Sequence, residues 1–308
     1  MSSKIVFMGT AGFAVPSLER LVEAGHTPVA VATGPDRKRG RGQKVAFTPV
    51  KSAALAAGIE TILQPENVKD PAFAEAVAAL EPDIIVVVAF RILPPAVYTA
   101  AKKGAFNLHG SVLPRYRGAA PINRAVMAGD DRTGVTTFFL ERKVDTGNMI
   151  LQRGMPVGPN ETAGEVHDRM MVLGAEAVLD TVRMIEAGDV QTFSQDDALA
   201  TRAPKIFKED CRIDWTLSAG DVHNHVRGLS PYPGAWTTHG AHMLKVFKTL
   251  PAAGTGKPGE ILQADDTLIV ACGEGAVHIL QIQQEGRKRL AVADFLRGYQ
   301  VEAADLLV

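Results

Sequence analysis

The sequence predicts a doubly wound, Rossmann-like α/β fold with a mostly parallel sheet, followed by a small C-terminal β-barrel of the OB-like kind. Three observations lead there. Short β-branched runs alternate with helical patterns through the first half of the chain, the order that builds a parallel sheet. One run, Asp83–Phe90 (DIIVVVAF), is apolar on both faces, as a central strand covered by helices on both sides must be. Beyond residue 206 the pattern becomes short alternating runs separated by turn residues (AWTTHGAHMLKVFK, GEILQADDTLIVACGEGAVHILQIQQ), which favours a barrel or sandwich.

The elements follow in order. Lys4–Gly9 (KIVFMG) reads as a strand and Val15–Gly25 as a helix stopped by glycine. Pro28–Thr33 is a second strand, Asp83–Phe90 a central one, and GAFNLH (104–109) and GVTTFFL (134–140) are further strands. A long helix is expected over Thr162–Ala187. Thr162 with Glu165 three residues on forms a capping box, and Val166, Met170 and Leu173 recur at helical spacing. The stretch Gly188–Arg212 is polar and reads as a linker. The expected division is an α/β domain over 1–188, a linker over 189–206 and a β domain over 207–308.

Bulk properties narrow the function classes. At 308 residues, 46% hydrophobic and 22% charged, the chain is an ordinary globular protein, too apolar for disorder. Its net charge of −1 creates no general attraction for nucleic acid, so any such contact needs a local patch. Two cysteines, Cys211 and Cys272, make neither a disulfide framework nor a metal-ligand spacing. The first residues enter a strand rather than a signal peptide, and no apolar run approaches the ~20 residues of a membrane span. The expectation is a cytoplasmic monomer without metal.

Four motifs compete for attention. In FMGTAGF, Gly9 and Gly12 sit between a strand and a helix, but the G-x-G-x-x-G fingerprint and its ribose-binding acid are absent, so a tight turn is favoured over an NAD site. GPDRKRGRGQK (34–44) carries Arg37, Lys38, Arg39, Arg41 and Lys44 against one acid, Asp36. Such a flexible basic arm fits a phosphate backbone better than a small molecule. In FNLHGSVLPRYRGAAPINRA (106–125), Asn107 and His109 are two residues apart on one strand, hence on one face. VDTG (144–147) follows the next strand, which puts Asp145 at the same sheet edge, where ligands of such folds bind. An Asn donor for an oxyanion, a His to move a proton and an Asp to orient the imidazole and favour its charged form suit acyl transfer. No Ser or Cys is placed as a nucleophile, so the attacking group belongs to a substrate. The HNH run (His223–His225) lacks a third ligand and reads as a surface turn, and Tyr232 and Trp236 in SPYPGAW read as turn and barrel core.

The 106–125 segment, with GVTTFFLERKVDTGNMI after it, resembles the folate-dependent N-formyltransferases. Their pattern is N-x-H, then S-L-L-P-x-[WY]-R-G-x-x-P, then D-T-G; here Asn107, His109, Ser111–Pro114, Tyr116, Arg117, Gly118, Pro121 and Asp145 match it. The likeness continues through FMGTAGFAVPSLERL, PDRKRGRGQK, VVVAFRILP, KIFKEDCRIDW and RGLSPYPGAW, and points to the branch of the family that acts on an aminoacyl-tRNA. The chain departs from the commonest pattern at Ala11, Arg91, Val112 and Lys143. The resemblance implies 10-formyltetrahydrofolate as donor and the α-amine of methionyl initiator tRNA as acceptor, with Asn107, His109 and Asp145 catalytic. It implies a folate pocket at Phe90, Arg91, Ile92, Leu93, Ser111, Val112, Leu113 and Pro114. It implies tRNA contacts at Arg37, Lys38, Arg39, Arg41, Lys44, Lys205 and Lys208, assisted by the barrel. Rival readings are an N-formyltransferase for a sugar or purine amine, a non-catalytic RNA-binding protein, and a dehydrogenase.

Overall fold

In the computed structural model, residues 3–39 and 44–308 are described, the side chains at 38, 39 and 44 excepted. The chain forms two compact units. The first is made of Met1–Gly118, Gly134–Met155 and His167–Arg202; the second is made of Ala119–Thr133, Pro156–Val166 and Ala203–Val308.

The first unit is built on a seven-stranded sheet. Its strands in chain order are Ile5–Gly9, Ala30–Ala32, Ile62–Leu63, Ile84–Val88, Gly104–His109, Arg132–Phe139 and Met149–Pro156. Across the sheet they run seventh, sixth, fifth, fourth, first, second, third. The first five are mutually parallel, and the sixth pairs antiparallel with the fifth. The strand order reverses between the first and fourth strands, the switch point beside which open α/β sheets bind ligands. The doubly wound expectation therefore holds, with an antiparallel edge added. The residues of Ile84–Val88 are all at most 4% exposed, which is why that run carries no polar face. Each such side chain contributes roughly 1.5–3 kcal/mol of burial. Helix Val15–Glu23 buries Leu18 and Leu21 completely.

The capping box forms as read: Thr162 N–H donates to the Glu165 carboxylate (2.8 Å) and Glu165 N–H to Thr162 Oγ1 (3.3 Å), opening helix Ala163–Ala187. The Thr162 N–H, and after it the Thr162 hydroxyl donating to the same carboxylate (2.8 Å), hold the Glu165 carboxyl below its usual range.

Two expectations for connecting segments change. The basic run is a β-ribbon rather than a flexible loop: Arg37–Arg39 pairs antiparallel with Lys44–Ala46. Its base is fastened by Gln64, whose amide donates to Gly34 O (2.8 Å) and Asp36 Oδ1 (2.9 Å), while Lys51 donates to Gln64 Oε1 (2.7 Å). Arg41 lies outside the described residues. The polar stretch after the long helix packs within the first unit as far as Arg202. Phe193 and Met149 exchange backbone hydrogen bonds of 2.9 and 2.8 Å, and Thr201 accepts from Tyr116 N–H (Oγ1, 2.8 Å) and Arg117 N–H (O, 2.9 Å). Gln195 and Thr201 find their side-chain partners within that unit.

The second unit carries a six-stranded antiparallel sheet in the order Ala235–His239, His242–Ala252, Ala276–Gln284, Leu268–Ala271, Ile261–Ala264, with Leu290–Ala291 also paired to Ala276–Gln284. Its core joins Trp215, Val246, Ile261, Val270 and Ile279 to helix Ala219–Gly228 through Val222 and Val226. The HNH run is not a surface turn. It lies on that helix, with His223 5% exposed between Thr249 Oγ1 and Pro159 O, both at 3.0 Å. Trp236 packs against this core and donates to Lys208 O (2.9 Å), whereas Tyr232 stands exposed on its turn.

Candidate active site

The fifth strand places Asn107 and His109 through the alternation of the pleat. It is parallel to the fourth strand on one side, with Val87 beside Asn107 and Val88 beside Leu108. The sixth strand lies on the other side, with Phe138 opposite Asn107 and Thr136 opposite His109. Both side chains emerge near the C-terminal end of the strand. Asn107 is half-buried, and no hydrogen bond to its carboxamide is found among the described residues. His109 is 6% exposed. Its Nε2 faces the Tyr116 carbonyl oxygen at 2.9 Å, and its ring meets Phe138 edge-on at 6.5 Å.

Asp145 comes from the loop after the sixth strand. Its Oδ2 is 3.9 Å from His109 Nδ1, an ion-pair distance longer than a hydrogen bond. The same oxygen accepts the Gly118 N–H at 2.9 Å. Each ring nitrogen thus faces an acceptor, a carbonyl on one side and a carboxylate on the other, so a protonated imidazole would find an oxygen for each N–H. Asp145 takes a left-handed backbone, φ +55°. Gly147 cannot be replaced without movement, because a Cβ there would fall 1.8 Å from Phe139 O. The D-T-G spelling is thus a packing requirement as well as a source of a carboxylate.

The neighbouring loop divides the residues expected at a folate pocket into two groups. Ser111 is fully buried and its hydroxyl donates to Arg115 O (2.6 Å). Leu113 is 2% exposed, and its N–H donates to Thr136 Oγ1 (3.0 Å) while its carbonyl accepts from Gln152 (2.7 Å). Val112 and Pro114 between and after them are half-buried. Ser111 and Leu113 hold the loop, and Val112 and Pro114 are the apolar surface it presents. At the end of the fourth strand Phe90 is half-buried, Leu93 is buried and Ile92 is 70% exposed. Arg91 is turned onto backbone carbonyls, donating to Pro65 O (2.6 Å) and Glu66 O (2.8 Å). Burial lowers its pKa from the usual arginine value, opposed by the Glu66 carboxylate and aided by the Arg37 cation.

Of the cations proposed for RNA, Arg37 is exposed on the ribbon. Lys205 and Lys208 are exposed in the second unit, Lys205 lying 5.5 Å from the Phe207 ring centre. Sequence reasoning missed Gln195. Its amide nitrogen donates to Asp145 O (3.0 Å) and Gly147 O (2.9 Å), and its oxygen accepts from Arg117 Nε (2.9 Å) and a terminal nitrogen (2.8 Å). Fifty residues separate Gln195 from Asp145, and one glutamine in a polar stretch gives no periodic signal.

Comparison with known proteins follows this geometry. A family model described as formyl transferase matches residues 3–182, and one described as formyl transferase, C-terminal domain, matches residues 205–300. The methionyl-tRNA formyltransferase of Chlorobium phaeovibrioides is 49% identical over 311 residues, covering 98% of this chain and 97% of its own. That of Citrifermentans bemidjiense is 46% identical over 306 residues, covering 99% and 96%. Among solved structures, HypX from Aquifex aeolicus in complex with tetrahydrofolic acid superposes with a TM-score of 0.67 at 20% identity, over all of this chain and 51% of that one. An N-formyltransferase from Helicobacter canadensis in complex with folinic acid and dTDP-3-aminofucose gives 0.68 at 18% identity, over 94% of this chain and all of its own. At that identity these two speak for the fold alone. The model matches and the near full-length relatives together mean that the chain belongs to the formyl transferase family.

Proposed function

We propose that this enzyme transfers a formyl group from 10-formyltetrahydrofolate to the α-amine of methionyl initiator tRNA. The observation that carries the reading is the meeting of Asn107, His109 and Asp145 at one sheet edge, in a chain 49% identical over 98% of its length to a methionyl-tRNA formyltransferase.

The chemistry matches the residues present. An α-amine has a pKa of about 7.7–8.0 in model peptides, so part of it is neutral near pH 7 and can attack the formyl carbon without a protein nucleophile. Negative charge then develops on the formyl oxygen. The Asn107 carboxamide, without a hydrogen-bond partner among the described residues, is suited to donate to it, as is His109; one such donor is worth ~10²–10³ in rate. The new carbon–nitrogen bond forms first, and the bond to the folate nitrogen breaks as the carbonyl re-forms from the tetrahedral adduct. One proton must leave the amine and one must reach the folate nitrogen. His109, held by the Tyr116 carbonyl and facing Asp145, is the group that can move it, a contribution of ~10²–10⁴-fold. The half-buried surface of Phe90, Val112 and Pro114 suits the flat ring of a folate. The basic run with Arg37, Lys38, Arg39, Arg41 and Lys44, together with Lys205 and Lys208, would contact phosphates. Residues 1–188 would carry catalysis and 207–308 would assist the tRNA, in a cytoplasmic monomer that light scattering would check.

The decisive assay is transfer of labelled formyl from 10-formyltetrahydrofolate to charged initiator tRNA, with charged elongator tRNA and amino-sugar nucleotides as controls. Label on the initiator species alone is expected. Label on the sugar nucleotide instead would replace this reading.

A further inference from the structure

We propose that Gln195 is a positioning residue for Asp145, reached from the polar stretch after the long helix. The inference rests on the assignment of Asp145 to the catalytic group. A non-glycine residue at φ +55° is strained, and such a conformation persists only where its surroundings enforce it. The enforcing contacts are specific. Both hydrogens of the Gln195 amide are used, one on the carbonyl of Asp145 and one on that of Gly147, so the peptide groups before Thr146 and after Gly147 are pinned to one side chain. The Asp145 carboxylate is separately fixed by the Gly118 N–H.

The amide itself cannot turn over. Its oxygen receives two N–H groups from Arg117, and reversal would set that oxygen against two carbonyls and the NH₂ group against a guanidinium. Arg117 is anchored in turn on Asp197 Oδ1 at 2.7 Å, and this hydrogen bond, ahead of the charge attraction, holds the Asp197 carboxyl below its usual range. A line of matched donors and acceptors therefore runs from Asp197 through Arg117 and Gln195 to the loop that presents Asp145. Without the amide, the carbonyls of Asp145 and Gly147 are released, and the contacts that remain, Gly118 N–H on the carboxylate and Thr146 Oγ1 on Lys143 O, do not hold the carboxylate at the His109 ring.

The two ends of the amide can be separated chemically. Gln195→Glu keeps the acceptor for Arg117 and removes both donors toward the loop; Gln195→Ala removes both ends. Each variant is measured for kcat and for KM of folate and of charged tRNA, with the fold checked by circular dichroism and urea midpoint. Gln195→Glu is expected to lose ~10²-fold in kcat, the scale of a small misplacement of a catalytic group, with both KM values unchanged and the fold intact. Introduced into Asp145→Asn, it is expected to cause no further loss. Wild-type kcat in a folded Gln195→Glu would overturn the proposal, because a residue that merely secured Arg117 would be satisfied by glutamate. Asp145→Asn measured alongside keeps the two readings apart. Wild-type turnover in that variant ends the catalytic assignment itself, whereas an inactive Asp145→Asn beside a fully active Gln195→Glu ends this inference only.

Discussion

Thr136→Val tests whether the loop at 111–114 is held as described. Thr136 is fully buried, and its hydroxyl makes three hydrogen bonds: it donates to Ser111 O (2.8 Å) and accepts from Leu113 N–H (3.0 Å) and Gln152 Nε2 (3.2 Å). Valine has nearly the same shape. It leaves the Ser111 carbonyl and the Leu113 N–H without the hydroxyl, in residues 0% and 2% exposed. Each buried orphan costs about 1–3 kcal/mol. The added methyl returns somewhat under ~1 kcal/mol of apolar burial. The Gln152 amide is not orphaned, because it still donates to Leu113 O. The expected loss is therefore about 3 kcal/mol. Thr136→Ser, which keeps the hydroxyl and loses only a methyl, is expected to cost about 1 kcal/mol. Urea unfolding followed by circular dichroism measures both, since the two tryptophans, Trp215 and Trp236, sit in the other unit and would miss the event. Thr136→Val should also raise KM for the folate, because Val112 lies between the groups it loosens and Pro114 follows them. Equal stability and equal KM in the valine and serine variants would refute the account of this loop.

Other predictions follow from the same contacts. Asn107→Ala should lower kcat by ~10²–10³ while circular dichroism and folate KM stay unchanged; wild-type turnover would end its role as donor. Gly147→Ala drives a Cβ into Phe139 O, so it should abolish turnover and lower the melting temperature, and a variant with native activity would contradict the packing. Arg41→Ala should weaken tRNA binding and reduce the salt slope by about one phosphate, with folate binding untouched, as isothermal titration at several salt concentrations would read. His223 is held neutral chiefly by burial, against the Pro159 and Thr249 hydrogen bonds and with the Arg227 cation beside it. A histidine whose folded pKa is depressed contributes fully above the unfolded value of about 6.5. That stability is lost as pH falls from there toward the depressed value, at up to about 1.4 kcal/mol per pH unit. His223→Gln should flatten this part of the stability–pH curve, leaving the slope of His225, likewise depressed by burial.

What was legible in the sequence follows the range of the interactions that produce it. Local patterns survive translation into structure. The apolar run at 84–88 became a strand buried on both faces, Thr162 and Glu165 capped their helix, and the spacing of Asn107 and His109 put them on one face. Pairing choices did not show, because they depend on partners far away in sequence. The antiparallel sixth strand, the ribbon made from a basic run, and the burial of His223 all belong to that class. The candidate site divides along the same line. Its chemical groups lie in short motifs whose residues a reader can align. The groups that hold them, Thr136, Gln152 and Gln195, are polar residues in strands and in a stretch that composition marks as a linker. A lone polar residue has no period, so nothing distinguishes a glutamine that meets water from one that meets two carbonyls. The same reasoning explains why the approach of Asp145 to His109 was legible and its backbone was not. A carboxylate before Thr-Gly announces itself, but a left-handed φ at a non-glycine position is a property of what surrounds it. Substitutions at the supporting residues should therefore lower turnover while leaving every motif in the sequence intact.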